Sequence, residues 1–168
     1  MSQLILVAAE EIAQQVRSAL GPSWLPNIYR ERVLKIRTRS YHFDTAVTRK
    51  KARIDIQHSL LGVELKIGNR RLLCPDLATA RYLAVFARAG VDDVAVPYDI
   101  TKVSQLADEL ESAWYRMLLL ADHHATAATE KLRTRIRGLL IAAVRAEILE
   151  AGAGAKRPEF KSSTKERS

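Results

Sequence analysis

Three residues, Asp55, Glu64 and Lys66, have side chains and a spacing that could support phosphodiester chemistry. Carboxylates on neighbouring strands can share a Mg²⁺ or Mn²⁺ ion, which prefers oxygen ligands and keeps positions open for phosphate and water. Lys66 follows Glu64 by two residues, so both lie on the same face of a strand. A lysine there would reach the attacking water or the leaving phosphate oxygens. The three residues are therefore candidates for a metal-dependent site.

The stretch 52–74 must position these candidates, because apolar and polar residues alternate along it. Alternation in 54–57 and again in 63–67 is typical of strands with one buried face. Gly68-Asn69 supplies the backbone conformation that a two-residue hairpin turn requires, so residues 70–74 should fold straight back as a third strand. The stretch predicts a meander of three antiparallel strands.

The register of the first hairpin decides which side chains meet. A tight turn at Ser59-Leu60 places Asp55 opposite Glu64 and sets every apolar residue against another apolar residue. Directly opposed like charges destabilise a sheet. Either a divalent metal ion binds between the two acids, or nearby cations offset them, namely Arg53, Lys66 and Arg71.

The segment from Asp55 to Lys66 resembles the PD-(D/E)XK nuclease superfamily, in which an acid is followed after a gap by acid-x-lysine. That family has a core of helix, three-stranded meander, helix and strand, which is the element order expected over residues 3–97. The resemblance implies that Asp55 and Glu64 bind Mg²⁺ or Mn²⁺ and that Lys66 is the catalytic cation. It also implies an additional carboxylate on the first helix, from Glu10 or Glu11.

The net charge of +8 is concentrated in two places. Residues 28–54 hold nine Lys and Arg against two acids, and residues 156–168 hold five against two. This asymmetry favours a polyanionic partner, either nucleic acid or an anionic surface, although a charge run is also typical of a solvated face. The candidate nucleic-acid contacts are Arg30, Arg32, Lys35, Arg37, Arg39, Arg49, Lys50, Lys51 and Arg53.

Aromatic residues lie among these cations at Tyr29, Tyr41 and Phe43. The mixture suits stacking on bases combined with phosphate contacts, but it is also ordinary for strands. Residues 32–51 alternate only partly, so one or two further strands are expected before the meander.

The whole pattern predicts an α+β fold. It begins with a helix over about 3–20 and continues with a mostly antiparallel sheet of three to five strands. Asp76 caps a buried helix that ends at Gly90, and a short strand follows up to Pro97. Strand, helix and strand from 70 to 97 suggest a crossover unit with parallel strands.

We expect an α+β core at 1–100, a helical hairpin at 101–151 packed on it, and a disordered basic tail at 152–168. The hairpin consists of a helix capped by Asp99 or Thr101 and a second helix starting near Thr129.

Composition excludes several classes of protein. No run of about 18 apolar residues occurs, so no membrane-spanning helix is expected. A single cysteine, Cys74, excludes an internal disulfide and suits the reducing cytoplasm. Adjacent residues on a helix point in different directions, which argues against a metal shared by His123 and His124.

Two classes of function therefore stay open. One is a metal-dependent nuclease-like or nucleic-acid-binding protein that uses Asp55, Glu64, Lys66 and the basic segment. The other is a non-catalytic binding or assembly protein. In that case the hairpin at 101–151 would make a homodimer or contact a protein partner, and the meander's charges would only be a solvated face.

Overall fold

The computed structural model describes residues 2–42, 53–125 and 129–154, and its α+β architecture confirms the predicted fold class. The helices are α1 (Ser2–Leu20), α2 (Leu25–Ile28), α3 (Leu77–Arg88), α4 (Ile100–His124) and α5 (Glu130–Ala151). The strands are β1 (Thr38–His42), β2 (Ile54–Ser59), β3 (Gly62–Ile67), β4 (Arg70–Cys74) and β5 (Asp93–Pro97). Of the tail expected to be disordered, 152–168, residues 152–154 are described and accept hydrogen bonds from Tyr29 and Ser40. The rest of that tail and the expected strand within 43–52 lie outside the described residues.

The predicted helix starts are confirmed by their capping hydrogen bonds. Asp76 Oδ1 accepts from the Thr79 N–H at 2.7 Å, and Asp99 Oδ1 accepts from the Thr101 N–H at 2.9 Å. Thr129 caps α5 through its hydroxyl. Each such cap is worth about 1 kcal/mol. These boundaries are set locally, which is why the sequence alone locates them.

The strands form two sheets, and the predicted crossover unit is wrong. β2, β3 and β4 make the antiparallel meander, whereas β5 pairs antiparallel with β1 in a separate two-stranded sheet. Ala95 lies opposite Ser40 in that pair. The part of the basic segment before β1 folds differently from the expected strand, because residues 29–33 form a turn of π-helix that continues α2.

Two buried tyrosine hydroxyls hold β5 in place. The Tyr29 hydroxyl accepts from the Ala95 N–H at 3.0 Å, and the Tyr82 hydroxyl donates to the Ala95 carbonyl at 2.5 Å. Tyr29 also donates to the carbonyl of Gly152 at 2.5 Å, just after α5. The backbone N–H and carbonyl of Ala95, at the edge of β5 that faces away from β1, therefore have side-chain hydrogen-bond partners. Among the described residues, no further strand pairs with β5 at that edge.

The helices pack around one hydrophobic core. α3 packs on the meander with one face and on α4 with another, while α1 packs mainly on α5 and α4. Residues 152–154 lie against β1, since Ser40 donates to the Ala153 carbonyl at 2.9 Å. Among the described helices, none combines the length and the apolar character needed to cross a bilayer.

Replacing either buried tyrosine by phenylalanine should destabilise the protein, because a backbone group of Ala95 would lose its partner inside the core. We expect Tyr82→Phe and Tyr29→Phe each to cost about 1–3 kcal/mol of unfolding free energy. Urea denaturation followed by circular dichroism would measure this. The half-exposed Tyr115 is the matched control. If Tyr115→Phe lowered the unfolding free energy as much as Tyr82→Phe, the hydrogen bond to Ala95 would not explain the lost stability.

Stability should also fall at alkaline pH. Burial raises the pKa of Tyr29 to about 12 and raises the pKa of Tyr82 above its ordinary value. The native state therefore holds these protons more tightly than the unfolded chain, whose tyrosines ionise near about 10. Their contribution is complete below about pH 10 and is lost as the pH rises toward 12. Between pH 9 and 11 the unfolding free energy of wild type should fall. The fall should be smaller in Tyr29→Phe, because that variant has one buried tyrosine hydroxyl fewer to ionise.

Candidate functional site

The meander has the predicted strands but a different register. Asp55 lies opposite Lys66, and Glu64 lies opposite Gln57, so the predicted pairing of Asp55 with Glu64 is wrong. The hairpin turns at Leu60-Leu61, one position later than expected, and this moves the pairing by two residues. A shift of two leaves every side chain on the same face. The apolar pattern fits both registers equally well, and it could not distinguish them.

The outward face of the meander carries cations beside both acids. The Arg53 Nε atom lies 3.1 Å from Asp55 Oδ2, and the Arg71 Nη1 atom lies 3.8 Å from Glu64 Oε1. Lys66 stands between Asp55 on β2 and Arg71 on β4. Among the described side chains, each of the two acids thus has a cation beside it. Such partly exposed pairs add about 0–1 kcal/mol each.

A metal site would need more than this face offers. Glu10 and Glu11 are exposed on α1, and Glu10 lines a shallow recess against α5, whereas Asp55 and Glu64 are on the meander. Over the described ranges, no three His, Cys, Asp or Glu side chains gather in a way that could hold a metal ion. Coordination of Mg²⁺ or Mn²⁺ by Asp55 and Glu64 stays a prediction, and both side chains would have to leave their arginines to achieve it.

The nine basic candidates divide into three groups. Three of them contact acids in the helical segments of the chain: Arg30 with Glu147 at 3.4 Å, Arg32 with Glu109 at 2.7 Å and Lys35 with Glu31 at 3.1 Å. Arg53 contacts Asp55 on the meander, as described above. Arg49, Lys50 and Lys51 lie outside the described residues. Arg37, Arg39 and Arg53 are exposed, and Arg53 is 88% exposed at the start of β2.

Arg37 stacks over the ring of Tyr98, with its guanidinium carbon 4.8 Å from the ring centroid. The two residues are 61 positions apart and come together only because β1 pairs with β5. No local pattern indicates this contact. By contrast, Tyr29 was a candidate for base stacking, but it is fully buried and its hydroxyl serves Ala95, so that expectation is wrong. Tyr41 is half-buried, and Phe43 lies outside the described residues.

Cys74 is not arranged for nucleophilic chemistry. Its side chain is buried under α3, and burial raises the pKa of the thiol to about 11. The thiolate is the nucleophilic form, so very little of it exists at neutral pH. His123 and His124 have ring centroids 5.6 Å apart in an edge-to-face arrangement, and they belong to no metal-binding group of the described residues.

A scan against protein-family models, a search of curated proteins and a search of solved structures each found no match. The PD-(D/E)XK resemblance therefore rests on the segment from Asp55 to Lys66 and stays a prediction.

The register of the meander can be tested by cross-linking. Directly opposed residues have Cβ atoms about 4.5–5.5 Å apart, within reach of a disulfide, whereas diagonal neighbours are about 7–8 Å apart. The pair Asp55→Cys with Lys66→Cys should therefore oxidise to a disulfide, and Asp55→Cys with Glu64→Cys should not. Mass spectrometry of the oxidised protein would measure both yields. The reverse result would restore the register in which the two acids meet.

Proposed function

We propose that this protein binds nucleic acid through the outward face of the β2–β4 meander and does not cleave it. The observation that carries the proposal is the pair Lys66 and Arg71, which lie directly opposite each other on β3 and β4. Like charges in that position destabilise a sheet. A phosphate group bound between them would relieve the repulsion, which within the face is offset by Asp55 opposite Lys66 and by Glu64 beside Arg71.

The shape of the meander supports the same proposal. Its other face packs on α3, so only the face with Arg53, Lys66 and Arg71 can meet a large partner. Three strands spaced about 4.8 Å apart make a surface about 10 Å wide. The major groove of DNA is about 12 Å wide and admits a β-ribbon. Gln57, exposed beside Glu64, adds a side chain that can donate to and accept from base edges.

The sequence carries further basic residues near the meander strands. The segment leading into β2 contains Arg49, Lys50 and Lys51, and Arg39 is exposed on β1. Phosphate contacts from such residues position a protein on the backbone without reading sequence. We therefore expect sequence-tolerant binding dominated by electrostatics. A cytoplasmic location is part of the proposal, and its support is the single reduced thiol of Cys74.

Cleavage is not part of the proposal, because each acid of the predicted catalytic set is paired with an arginine and Asp55 faces Lys66. Phosphodiester hydrolysis with Mg²⁺ would require the two carboxylates to act on one ion. A nuclease-like role would need a rearrangement of the face when substrate binds.

Binding should depend on Lys66 and Arg71 and should weaken with salt. Fluorescence anisotropy with labelled single- and double-stranded oligonucleotides, over a series of salt concentrations, gives the dissociation constant and the slope of log K against log salt. Lys66→Ala combined with Arg71→Ala should weaken binding on every sequence and reduce the slope by about 1, since the one phosphate group held between the two residues accounts for about one released counterion.

The matched control removes the same charge elsewhere, with Lys102→Ala and Arg116→Ala on the exposed side of α4. An equal loss of affinity in this control would mean that net charge alone is responsible, which contradicts a defined face. No binding by wild type at low salt would contradict the proposal entirely. The assay also contains Mg²⁺ or Mn²⁺ in a parallel series. Cleavage by wild type that Glu64→Gln abolishes would favour the nuclease-like function instead.

A further inference from the structure

Arg37 and Tyr98 form a stacked pair at the end of the two-stranded sheet, here called the Arg37–Tyr98 platform. The Tyr98 N–H donates to the Arg37 carbonyl at 3.2 Å, so the two residues continue the pairing of β1 with β5 by one position. Arg37 is exposed, and Tyr98 is 42% exposed even with the guanidinium over its ring. The platform therefore presents two planar groups at the surface.

A second stacked pair in the same chain has a purely structural arrangement. The Arg17 guanidinium carbon lies 5.1 Å from the centroid of the Trp24 ring, but Trp24 is only 1% exposed. Arg17 also pairs with Glu147 at 2.6 Å, so its charge is used to join helices. Arg37 differs, because it forms no ion pair with any residue that the structure describes. The charge of the platform is therefore available to a partner.

The backbone on both sides of Tyr98 is fixed. Pro97 is the buried last residue of β5, and Asp99 caps α4 by accepting from the Thr101 N–H at 2.9 Å. Arg37 is held through its carbonyl by the Tyr98 N–H. A surface that is ordered before binding loses less conformational entropy when a partner arrives. The platform is therefore suited to bind a flat group by stacking.

The charge next to the platform favours an anionic partner. Alternation along the strand places Arg37, Arg39 and Tyr41 on one face of β1. Arg39 is exposed and, like Arg37, forms no ion pair within the described part of the chain. Two such cations beside an exposed ring suit single-stranded nucleic acid, because bases stack on aromatic and guanidinium planes while phosphates meet the charges.

The platform lies within reach of the meander. The pKa of Tyr41 is raised, first by burial and then by the nearby Cys74 side chain, so the end of β1 lies close to the end of β4. From this junction Arg37 is about 13 Å away along β1, and Arg71 is about 10 Å away along β4. A stacked strand of about eight nucleotides, at about 3.4 Å each, is long enough to reach both.

We propose that the Arg37–Tyr98 platform binds an unpaired base of single-stranded nucleic acid by stacking, while Arg39 contacts the neighbouring phosphate. This inference rests on the proposed function and names its substrate class, which is nucleic acid with unpaired bases. In a duplex each base is stacked between its neighbours, so its face is closed to the platform. Phosphate contacts at the meander are available in either form. Unpaired bases should therefore add affinity that duplexes do not gain.

The test compares three labelled ligands by fluorescence anisotropy over a series of salt concentrations. They are a single strand of about 16 nucleotides, the same sequence as a duplex, and a sugar–phosphate strand of equal length without bases. Wild type should bind the ordinary single strand at least about fivefold more tightly than the strand without bases, since stacking of one base contributes at least that factor. Equal affinity for these two strands would overturn the inference.

Tyr98→Leu removes the ring and keeps every charge. Its affinity for the single strand should fall at least about fivefold, whereas its salt slope and its affinity for the duplex and for the strand without bases should not change. Tyr98→Trp should retain tight binding, because indole also stacks. Tyr115→Leu is the matched control, since Tyr115 is half-exposed on α4. An equal loss on strands with and without bases would contradict stacking.

The same series separates this inference from the proposed function. Circular dichroism melts show whether Tyr98→Leu is folded, and Arg37→Lys, which keeps the charge but lacks the guanidinium plane, replaces it if it is not. Binding that needs Lys66 and Arg71 but neither the ring nor the bases would overturn the inference alone. Binding that needs the ring and the bases but not Lys66 and Arg71 would overturn only the proposed meander surface. No binding to any of the three ligands would overturn both.

Discussion

The arrangement of this molecule depends on the hydrogen bonds that Tyr29 and Tyr82 make to Ala95. Buried backbone groups must be paired, and in an open sheet the usual partner is another strand. Here two phenol hydroxyls, one from the π-helical turn after α2 and one from α3, take that place. The strand β5 can therefore sit in the core with β1 as its one strand partner among the described residues, and Tyr29 brings the end of α5 to the same point through Gly152.

This constraint leaves the meander separate, with consequences for the surface. Because β5 does not join it, β2–β4 is supported by α3 on one face and presents Arg53, Lys66 and Arg71 on the other. Leu60 and Leu61, at the turn between β2 and β3, project beyond the part of the hairpin that carries charge. Cationic and apolar surfaces thus occupy different ends of one hairpin.

Electrostatics within the chain decide how much of the basic segment is available to a partner. In the sequence, nothing distinguishes Arg30, Arg32 and Lys35 from the other basic candidates. In the structure, each of them contacts an acid on a helix. Glu147 illustrates the reason, since it accepts from Trp24 Nε1 at 3.0 Å and also pairs with Arg17 at 2.6 Å. It joins α1, α2 and α5. Arg30 and Arg32 thus link separate helical segments, whereas Lys35 pairs within its own segment with Glu31.

The sequence by itself determined the α+β class, the helix boundaries and the three-stranded meander, because caps, helical periodicity, alternation and the Gly68-Asn69 turn act over a few residues. It also located the polar face, since alternation assigns each side chain to one side of a strand.

Tertiary structure alone decided the register, the partner of β5 and which cations stay free. A register shift of two residues preserves every face, so the apolar pattern could not show that Asp55 meets Lys66 and not Glu64. The pairing of β1 with β5 and the stacking of Arg37 on Tyr98 join residues far apart in the chain. Such contacts depend on how whole elements pack against one another, and no short segment encodes them.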